Sequence, residues 1–578
     1  MTSVEWRHAI GATGLLQTFT DAEVLESSDV HVAQRLSALA KEFDETVALA
    51  VAVAVRALRN GSVCVDLRSV EEQVGVDGLP WPDTDTWRTA IAASPLAGTP
   101  PALRLDGDLL YLDRYWLEEQ QVRDDVVTMI EAKPEAVTPD IERLFPEGFD
   151  EQRAAAKVAL SQGLTVLTGG PGTGKTTTVA RLLALLAGGT RLRIALAAPT
   201  GKAAARLQEA VQLEVAKLDA ADQDALAGMH ATTLHRLLGS RPDTSARFRH
   251  NRGNRLPHDV IVVDETSMVS LTMMARLLEA VRPDARLILV GDPDQLASVE
   301  AGAVLADLVD GLDESKLATL KTSHRFGESI GALASAIRDG DTDRVVEVLR
   351  AGGDHIEWID TAEPAEHLRK VVVPQARMLR EAAILGDSAE ALRTLDEHRL
   401  LCAHRRGPYG VRFWNRQTER WLAEETGEPI WSDWYAGRPV LMTANDYGLG
   451  LYNGDTGVTV VREGVLRAVI AGSEQKEFAT SRLSDVDTVH AMTIHKSQGS
   501  QADEVTVLLP QEDSRLLMRE LFYTAVTRAK TKVRIVGAES AVRAAVERRA
   551  VRASGLARRL RGLPHTVIGA APVAKEST

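Results

Sequence analysis

The chain has 578 residues, 44% of them hydrophobic and 26% charged, with a formal net charge of −14 and a pI of about 5.6. That length exceeds what one hydrophobic core supports and predicts at least three domains. The acidic total does not favour wrapping nucleic acid over the whole surface, and two distant cysteines, Cys64 and Cys402, exclude a four-cysteine metal site and a disulfide framework.

The start, MTSVEWRHAI, lacks the basic-then-apolar pattern of a signal peptide. The apolar run TVALAVAVAV from Thr46 is too short to span a bilayer and reads as a buried helix. A cytoplasmic protein without a membrane partner is expected. Residues 1–138 carry no motif for chemistry and predict an α-rich packing or docking domain. Its helices from Val30 close at Asn60-Gly61, and SVCVDLRSV alternates like a short strand. LRLDGDLLYLDRYWLEEQQV from Leu103 reads as a hairpin turned at Asp106-Gly107 and running into a helix.

Residues 139–316 read as a first α/β lobe. Apolar strands LTVLTGG, RLRIALAA, VIVVDE and ARLILVGD alternate with helices, which predicts a parallel sheet with its ligand at the strand ends. GGPGTGKT, from Gly169 to Thr176, follows a strand and opens a helix. Phosphates need backbone N–H donors that approach without side-chain bulk, and Gly170, Gly172 and Gly174 permit that. Lys175 would reach the β- and γ-phosphates and Thr176 would hold Mg²⁺. The expected nucleotide cradle also takes in Gly169, Pro171, Thr173 and Thr177. Asp264 and Glu265 end an apolar strand, Asp264 as a second Mg²⁺ ligand and Glu265 as the group that orients or deprotonates the attacking water. SARFRHNRGNRLPHD from Ser245 is locally basic and suggests a small hairpin near 241–258. Its Phe248 would stack on a base, with Arg247, Arg249 and Arg252 as strand contacts; a solvated loop reads equally well.

Residues 317–578 read as a second α/β lobe, with VRFWNRQTERWL from Val411 as a strand leading into a helix. Short strands with Gly and Asn-Gly turns near 438–487 suggest a small β-barrel insertion. Hydrolysis needs positive charge on the transferring phosphoryl group, and Arg325 in LKTSHRF and Arg528 in TAVTRAK are candidates to reach across the cleft. The segment ERRAVRASGLARRLRG from Glu547 reads as a solvated basic terminal helix, with DNA contact as the lesser reading.

Taken in order, GGPGTGKTTTVARLL, APTGKAAARL, VDETSMV, VGDPDQL, TSHRF, RGPYGVRFWN, LYNGDTGV, HAMTIHKSQGS and FYTAVTRAK resemble the blocks of superfamily-one DNA helicases, and most closely the RecD family. The likeness runs from about Phe149 to Lys530. It is weaker toward the N-terminus, where the Val/Ala-rich helix and GSVCVDL carry it. The resemblance implies two RecA-like motor domains, an SH3-like barrel in the second, and ATP with Mg²⁺. It also implies Gln152 reading adenine, Gln295 sensing the γ-phosphate, and Arg325 and Arg528 as the two fingers. Pro199, Thr200, Lys202, Thr233, His235, Thr493, His495, Lys496, Ser497 and Gln498 fall on its DNA-facing loops; donors of this kind suit phosphate and sugar rather than bases. A 5′→3′ translocase is implied, acting with RecB-like and RecC-like subunits on single-stranded DNA and duplex ends in recombinational repair. The nuclease of such a complex would lie in the RecB-like subunit. A stand-alone helicase would usually carry helix-hairpin-helix repeats, which are not seen. A regulatory ATPase with a degenerate site is disfavoured by the complete set Lys175, Asp264, Glu265, Gln295, Arg325 and Arg528.

Overall fold

The computed structural model describes residues 9, 11–132, 140–188, 192–241, 244–322, 328–446, 448–472 and 475–561. Two parallel sheets form its centre. The first has six strands in the order Leu317–Leu320, Leu164–Gly169, Arg286–Gly291, Val260–Val263, Ile194–Ala198 and Ala231–Thr233. Its central strands are buried along their whole length, as expected for apolar runs covered by helices on both faces. The second has five strands in the order Ile356–Ile359, Ala529–Val536, Ala502–Leu508, His398–Cys402 and Ala491–Thr493. These are the two motor lobes.

Three sequence-based boundaries move. The strand Leu317–Leu320 was expected to open the second lobe. It pairs with the P-loop strand, Leu317 opposite Val166 and Leu320 opposite Gly169, and so completes the first sheet. The helix Asp113–Glu131 was counted with the N-terminal domain. It lies along helix Leu271–Ala280 of the first lobe and adds Val122, Val126 and Met129 to that lobe's core. The basic C-terminal segment is solvated only in part, with Glu547, Arg548, Arg549 and Val551 exposed. Helix Leu556–Arg561 packs on helix Val304–Gly311 of the first lobe, with Leu556 and Leu560 buried.

The N-terminal region folds as helices Ser27–Ala40 and Glu45–Arg59 beside a three-stranded antiparallel sheet. Asp44 caps the second helix by accepting from Thr46 N–H, and the Val/Ala run fills the core. The insertion in the second lobe is a five-stranded antiparallel sheet spanning Pro439–Met442 to Val486–Thr488. Among the described residues its ladders run from Lys476–Ala479 to Val486–Thr488 with no pairing between those two strands, so the small β-barrel expected here is not confirmed by backbone pairing. Val411–Thr426 is helical throughout, where a strand leading into a helix was expected. No helix among the described residues is long and apolar enough to cross a membrane.

Candidate active site

The C-terminal ends of the first sheet open onto a cavity of about 700 Å³ at the junction with the second lobe. That size lies within the range of small-molecule and nucleotide sites. Lys175, Thr176, Asp264, Glu265, Gln295 and Arg528 all line it. The loop after strand Leu164–Gly169 turns through Gly172 (φ +81°) and Gly174 (φ +86°), conformations that side chains resist, and delivers Lys175 to the first turn of helix Lys175–Ala187. Lys175 Nζ donates to the carbonyls of Gly169 (2.6 Å) and Gly170 (2.9 Å). Thr173 Oγ1 donates to Gly170 O at 2.9 Å and tightens the loop. Pro171, Thr176 and Thr177 face the cavity. Gln152 is buried beside the loop, its Nε2 3.5 Å from the carbonyl of Thr173.

Asp264 and Glu265 follow strand Val260–Val263. Burial, then the neighbouring Glu265 charge, pushes the Asp264 carboxyl up to about 6. A desolvated carboxylate and the Thr176 hydroxyl lining the same cavity are hard-oxygen donors of the kind that fits Mg²⁺. Glu265 has φ +50°, a left-handed conformation uncommon for a non-glycine residue, and its N–H donates to Asp264 Oδ1 at 2.9 Å. The strained turn aims two consecutive acids at the same cavity.

The GDPDQL loop carries the contacts between lobes. Gln295 Nε2 donates to Asp292 Oδ2 at 3.0 Å, and Tyr523 Oη of the second lobe donates to the same oxygen at 3.0 Å. Arg528 Nη2 donates to Gln295 Oε1 at 3.0 Å. Leu296 N–H donates to Thr524 Oγ1 at 2.8 Å, and Gln498 Nε2 donates to Leu296 O at 2.6 Å. Asp292 and Tyr523 are buried, and burial raises both their pKa values. The sequence reading missed Asp292, Tyr523 and Thr524, although they lie inside its quoted motifs. It also missed Arg206, which lines the cavity, and Phe149, whose ring lies 4.3 Å beneath the Arg181 guanidinium. Arg325 falls outside the described residues. The segment leading to it is anchored beside Gln152, because Glu151 accepts from Lys321 N–H (2.8 Å) and Thr322 N–H (3.1 Å).

The expected DNA contacts divide. Thr200, Thr233 and Thr493 each cap a helix, accepting from the N–H of Ala203, Arg236 and Lys496 respectively at 3.2 Å. Pro199 is partly exposed at the end of its strand. Lys202 is wedged between the lobes, and burial lowers it to about 8 beside Arg399, Asp396 and Asp455. His495 is partly buried and lowered for the same reason, while Lys496 lies 3.6 Å from Asp487. Three expectations fail on packing. Phe248 is only 7% exposed, sits in the first lobe's core and meets the His235 ring edge-on at 5.8 Å. Ser497 donates to Ile494 O and Gln498 serves the lobe junction, so both are buried inside the protein. Arg249 remains exposed, but Arg252 pairs with Asp125 of helix Asp113–Glu131 at 2.8 Å.

Two parallel-sheet lobes that share one P-loop cavity, with Gln295 held between them, define a nucleotide-driven motor of the helicase type. The sequence matches the description "RecBCD enzyme subunit RecD, N-terminal domain" over residues 21–111, "AAA domain" over 149–361 and "UvrD-like helicase C-terminal domain" over 488–536. It is 73% identical over 553 residues to the RecBCD enzyme subunit RecD of Mycolicibacterium smegmatis, covering 95% of this chain and 99% of that one. The corresponding protein of Mycobacterium tuberculosis H37Rv is 66% identical over 571 residues, covering 97% and 99%. The ATP-dependent RecD2 DNA helicase of Deinococcus radiodurans is 32% identical, covering 81% of this chain and 61% of that one. A Pif1 helicase from Bacteroides, with ADP-AlF3 and single-stranded DNA, overlaps 67% of this chain and 91% of its own at 17% identity and a TM-score of 0.38. The chain belongs to the RecD family of RecBCD enzyme subunits.

Proposed function

We infer that the chain is the ATP-dependent DNA helicase and translocase subunit of a RecBCD-type complex. The observation that carries this reading is the bond path from the nucleotide cavity through Asp292 and Gln295 to Tyr523 and Arg528 of the second lobe, with the adjoining Leu296 carbonyl held by Gln498. Lys175 and the loop N–H groups bind the phosphates. Thr176 and Asp264 would hold Mg²⁺, which when bound neutralises charge on the phosphate oxygens. Glu265 orients water, and Arg528 brings positive charge to the transferring phosphoryl group from the second lobe. Because Arg528 holds Gln295 directly, the state of the cavity and the spacing of the lobes are mechanically linked. Thr200, Thr233, Thr493 and Lys496 present donors on the loops that would follow a DNA backbone.

Movement 5′→3′, action on duplex ends in repair, RecB-like and RecC-like partners and a cytoplasmic setting rest on the family likeness. The working division is an N-terminal docking region, a first motor lobe running through Leu320, and a second lobe interrupted by the antiparallel insertion. The test is strand separation by the purified chain, alone and with RecB-like and RecC-like subunits, on duplexes with a 5′ or a 3′ tail. Unwinding from the 5′ tail in either mixture supports the reading. Absence of DNA-stimulated ATP hydrolysis in every mixture overturns it. Lys175→Gln should lose hydrolysis; full DNA-stimulated turnover in that variant would reassign the nucleotide site.

A further inference from the structure

Arg206 lines the nucleotide cavity and has no part in the chemistry set out above. It lies on helix Gly201–Val215, which Thr200 caps. Leu207 and Val211 of that helix share a core with Val179 and Leu183 of helix Lys175–Ala187. Ala203, Arg206, Ala210, Leu213 and Lys217 recur at helical spacing and all line the cavity, so one face of the helix forms its wall. Gly499 of the second lobe comes against the start of this wall: a Cβ built on it would lie 3.2 Å from the Ala203 Cβ. Arg206 sits about one turn further in. Its charge reaches the groups assigned to hydrolysis. Burial raises the Asp264 carboxyl and lowers the Arg528 guanidinium, and Arg206 opposes the first shift and adds to the second. Arg206 is half-buried and makes no hydrogen bond or ion pair among the described residues, although Asp264 and Glu265 line the same cavity. A guanidinium is a planar fork of N–H donors that matches phosphate oxygens, and no described residue claims those of Arg206.

We propose that Arg206 is a further phosphate-binding residue, donating to the terminal phosphate of ATP from the same lobe as the P-loop. The terminal phosphate is the one that must lie close to Asp264 and Arg528, the two site groups on which the Arg206 charge acts. Its place on the first lobe sets what it contributes. Lys175 and Arg206 belong to helices packed on one another, so Arg206 keeps its position relative to the P-loop whatever the spacing of the lobes. Arg528 comes from the second lobe, and its charge matters most during transfer. Arg206 therefore strengthens ATP over ADP at the binding step, whereas Arg528 acts on turnover. This assignment rests on the nucleotide-motor reading and deepens it.

The test measures displacement of mant-ADP from the full chain by ATPγS and by ADP, with Mg²⁺ present. Arg206→Ala should weaken ATPγS binding about 10-fold or more, the loss of a charge-assisted contact, while ADP affinity changes by less than about 3-fold. DNA-stimulated hydrolysis should show the matching split, with KM for ATP raised by about 10-fold and kcat nearly kept. Arg206→Lys keeps the charge without the fork and should bind ATPγS with an affinity between the other two. Alanine suits a helix interior, and ADP binding retained in the same variant reports an intact site. The proposal is overturned if Arg206→Ala binds ATPγS as tightly as the unaltered chain. Equal loss of ATPγS and ADP also overturns it, since Arg206 would then serve only the shape of the cavity. So does a fall in kcat with KM unchanged, which would place Arg206 in the transfer step. If the unaltered chain binds neither nucleotide, the motor reading itself fails, a result distinct from normal binding by the variant.

Discussion

At the scale of single residues, the junction between lobes rests on two side chains with different expected roles. Arg528 is buried and bonded to Gln295, while Tyr523 reaches Asp292 from the same lobe. Arg528→Ala removes charge that matters most when the phosphoryl group is in transfer, so turnover should fall about 10³-fold or more while nucleotide affinity changes little. Tyr523→Phe keeps the ring and removes one hydrogen bond to a buried carboxylate, a loss of about 1.5–3 kcal/mol at the junction. Its signature should be weakened coupling, with DNA stimulating ATP hydrolysis less and hydrolysis without DNA altered far less. Steady-state kinetics with and without oligo-dT separate the two. Equal loss of nucleotide binding and turnover in Arg528→Ala would mean that the arginine serves folding rather than catalysis.

At the scale of elements, the second sheet contains two histidines that burial holds neutral. His398 opens strand His398–Cys402 with its Nε2 2.9 Å from Thr506 Oγ1, and His490 precedes strand Ala491–Thr493 with its Nε2 2.9 Å from Tyr435 Oη. Burial, and then the positive charge of Arg534 and Arg399 at His398 and of Arg438 at His490, pushes both down to about 3. A base whose folded pKa lies below its unfolded value of about 6.5 contributes stability above that value and loses it as pH falls toward the folded one. The stability of the second lobe, read from amide exchange in strands His398–Cys402 and Ala491–Thr493 corrected for its intrinsic pH dependence, should therefore fall as pH is lowered from about 7 to about 4.5, and less steeply in His398→Gln/His490→Gln. Identical slopes would show that other groups set the acid lability; Asp307, raised to about 7 by burial, acts in the opposite direction. Such burial is hard to read in sequence, and the same limit explains the misplaced elements. The P-loop and the acidic strand end were legible because each is a local phrase with one chemical purpose. Phe248 was not, because a basic stretch hides that its strand turns the ring inward. Val411–Thr426 begins with Val-Arg-Phe-Trp, residues that favour strands until tertiary packing of Trp414 and Trp421 fixes the helix. Ser497 and Gln498 look like surface donors, and only the second lobe's approach to Leu296 buries the glutamine.

At the scale of the whole molecule, the C-terminal segment ties three parts together. Arg552 leaves the second lobe and donates through Nη1 to Ser298 O at 2.5 Å, with Glu300 O and Gly61 O at 3.4 and 3.5 Å. Val63 N–H donates to Ala553 O at 2.8 Å, and Ala553 N–H donates to Ser62 Oγ at 3.1 Å. The fully buried Glu119 then accepts from Ser554 Oγ (2.8 Å), Gly555 N–H (3.0 Å), Tyr111 Oη (3.1 Å) and Arg559 Nε (3.3 Å). One strap therefore touches the segment just past the GDPDQL loop, the end of the N-terminal helix Glu45–Arg59 and the first-lobe helix Val304–Gly311. Truncating Arg552 leaves carbonyls without their charged donor, at a cost of about 1–3 kcal/mol. A chain of several domains does not melt as one unit, so a single midpoint would blur a local effect. Hydrogen exchange resolves it, since local opening reports each segment's own stability. In Arg552→Ala, amides from 61 to 64 and from 551 to 556 should exchange about 5-fold or more faster, the equivalent of about 1 kcal/mol. The amides of strand Ala529–Val536 should keep their protection, because that strand lies in the second lobe's own core. Faster exchange confined to 551–556 would mean that the strap is held by Leu556 and Leu560 alone, and that Arg552 does not join the N-terminal region to the motor.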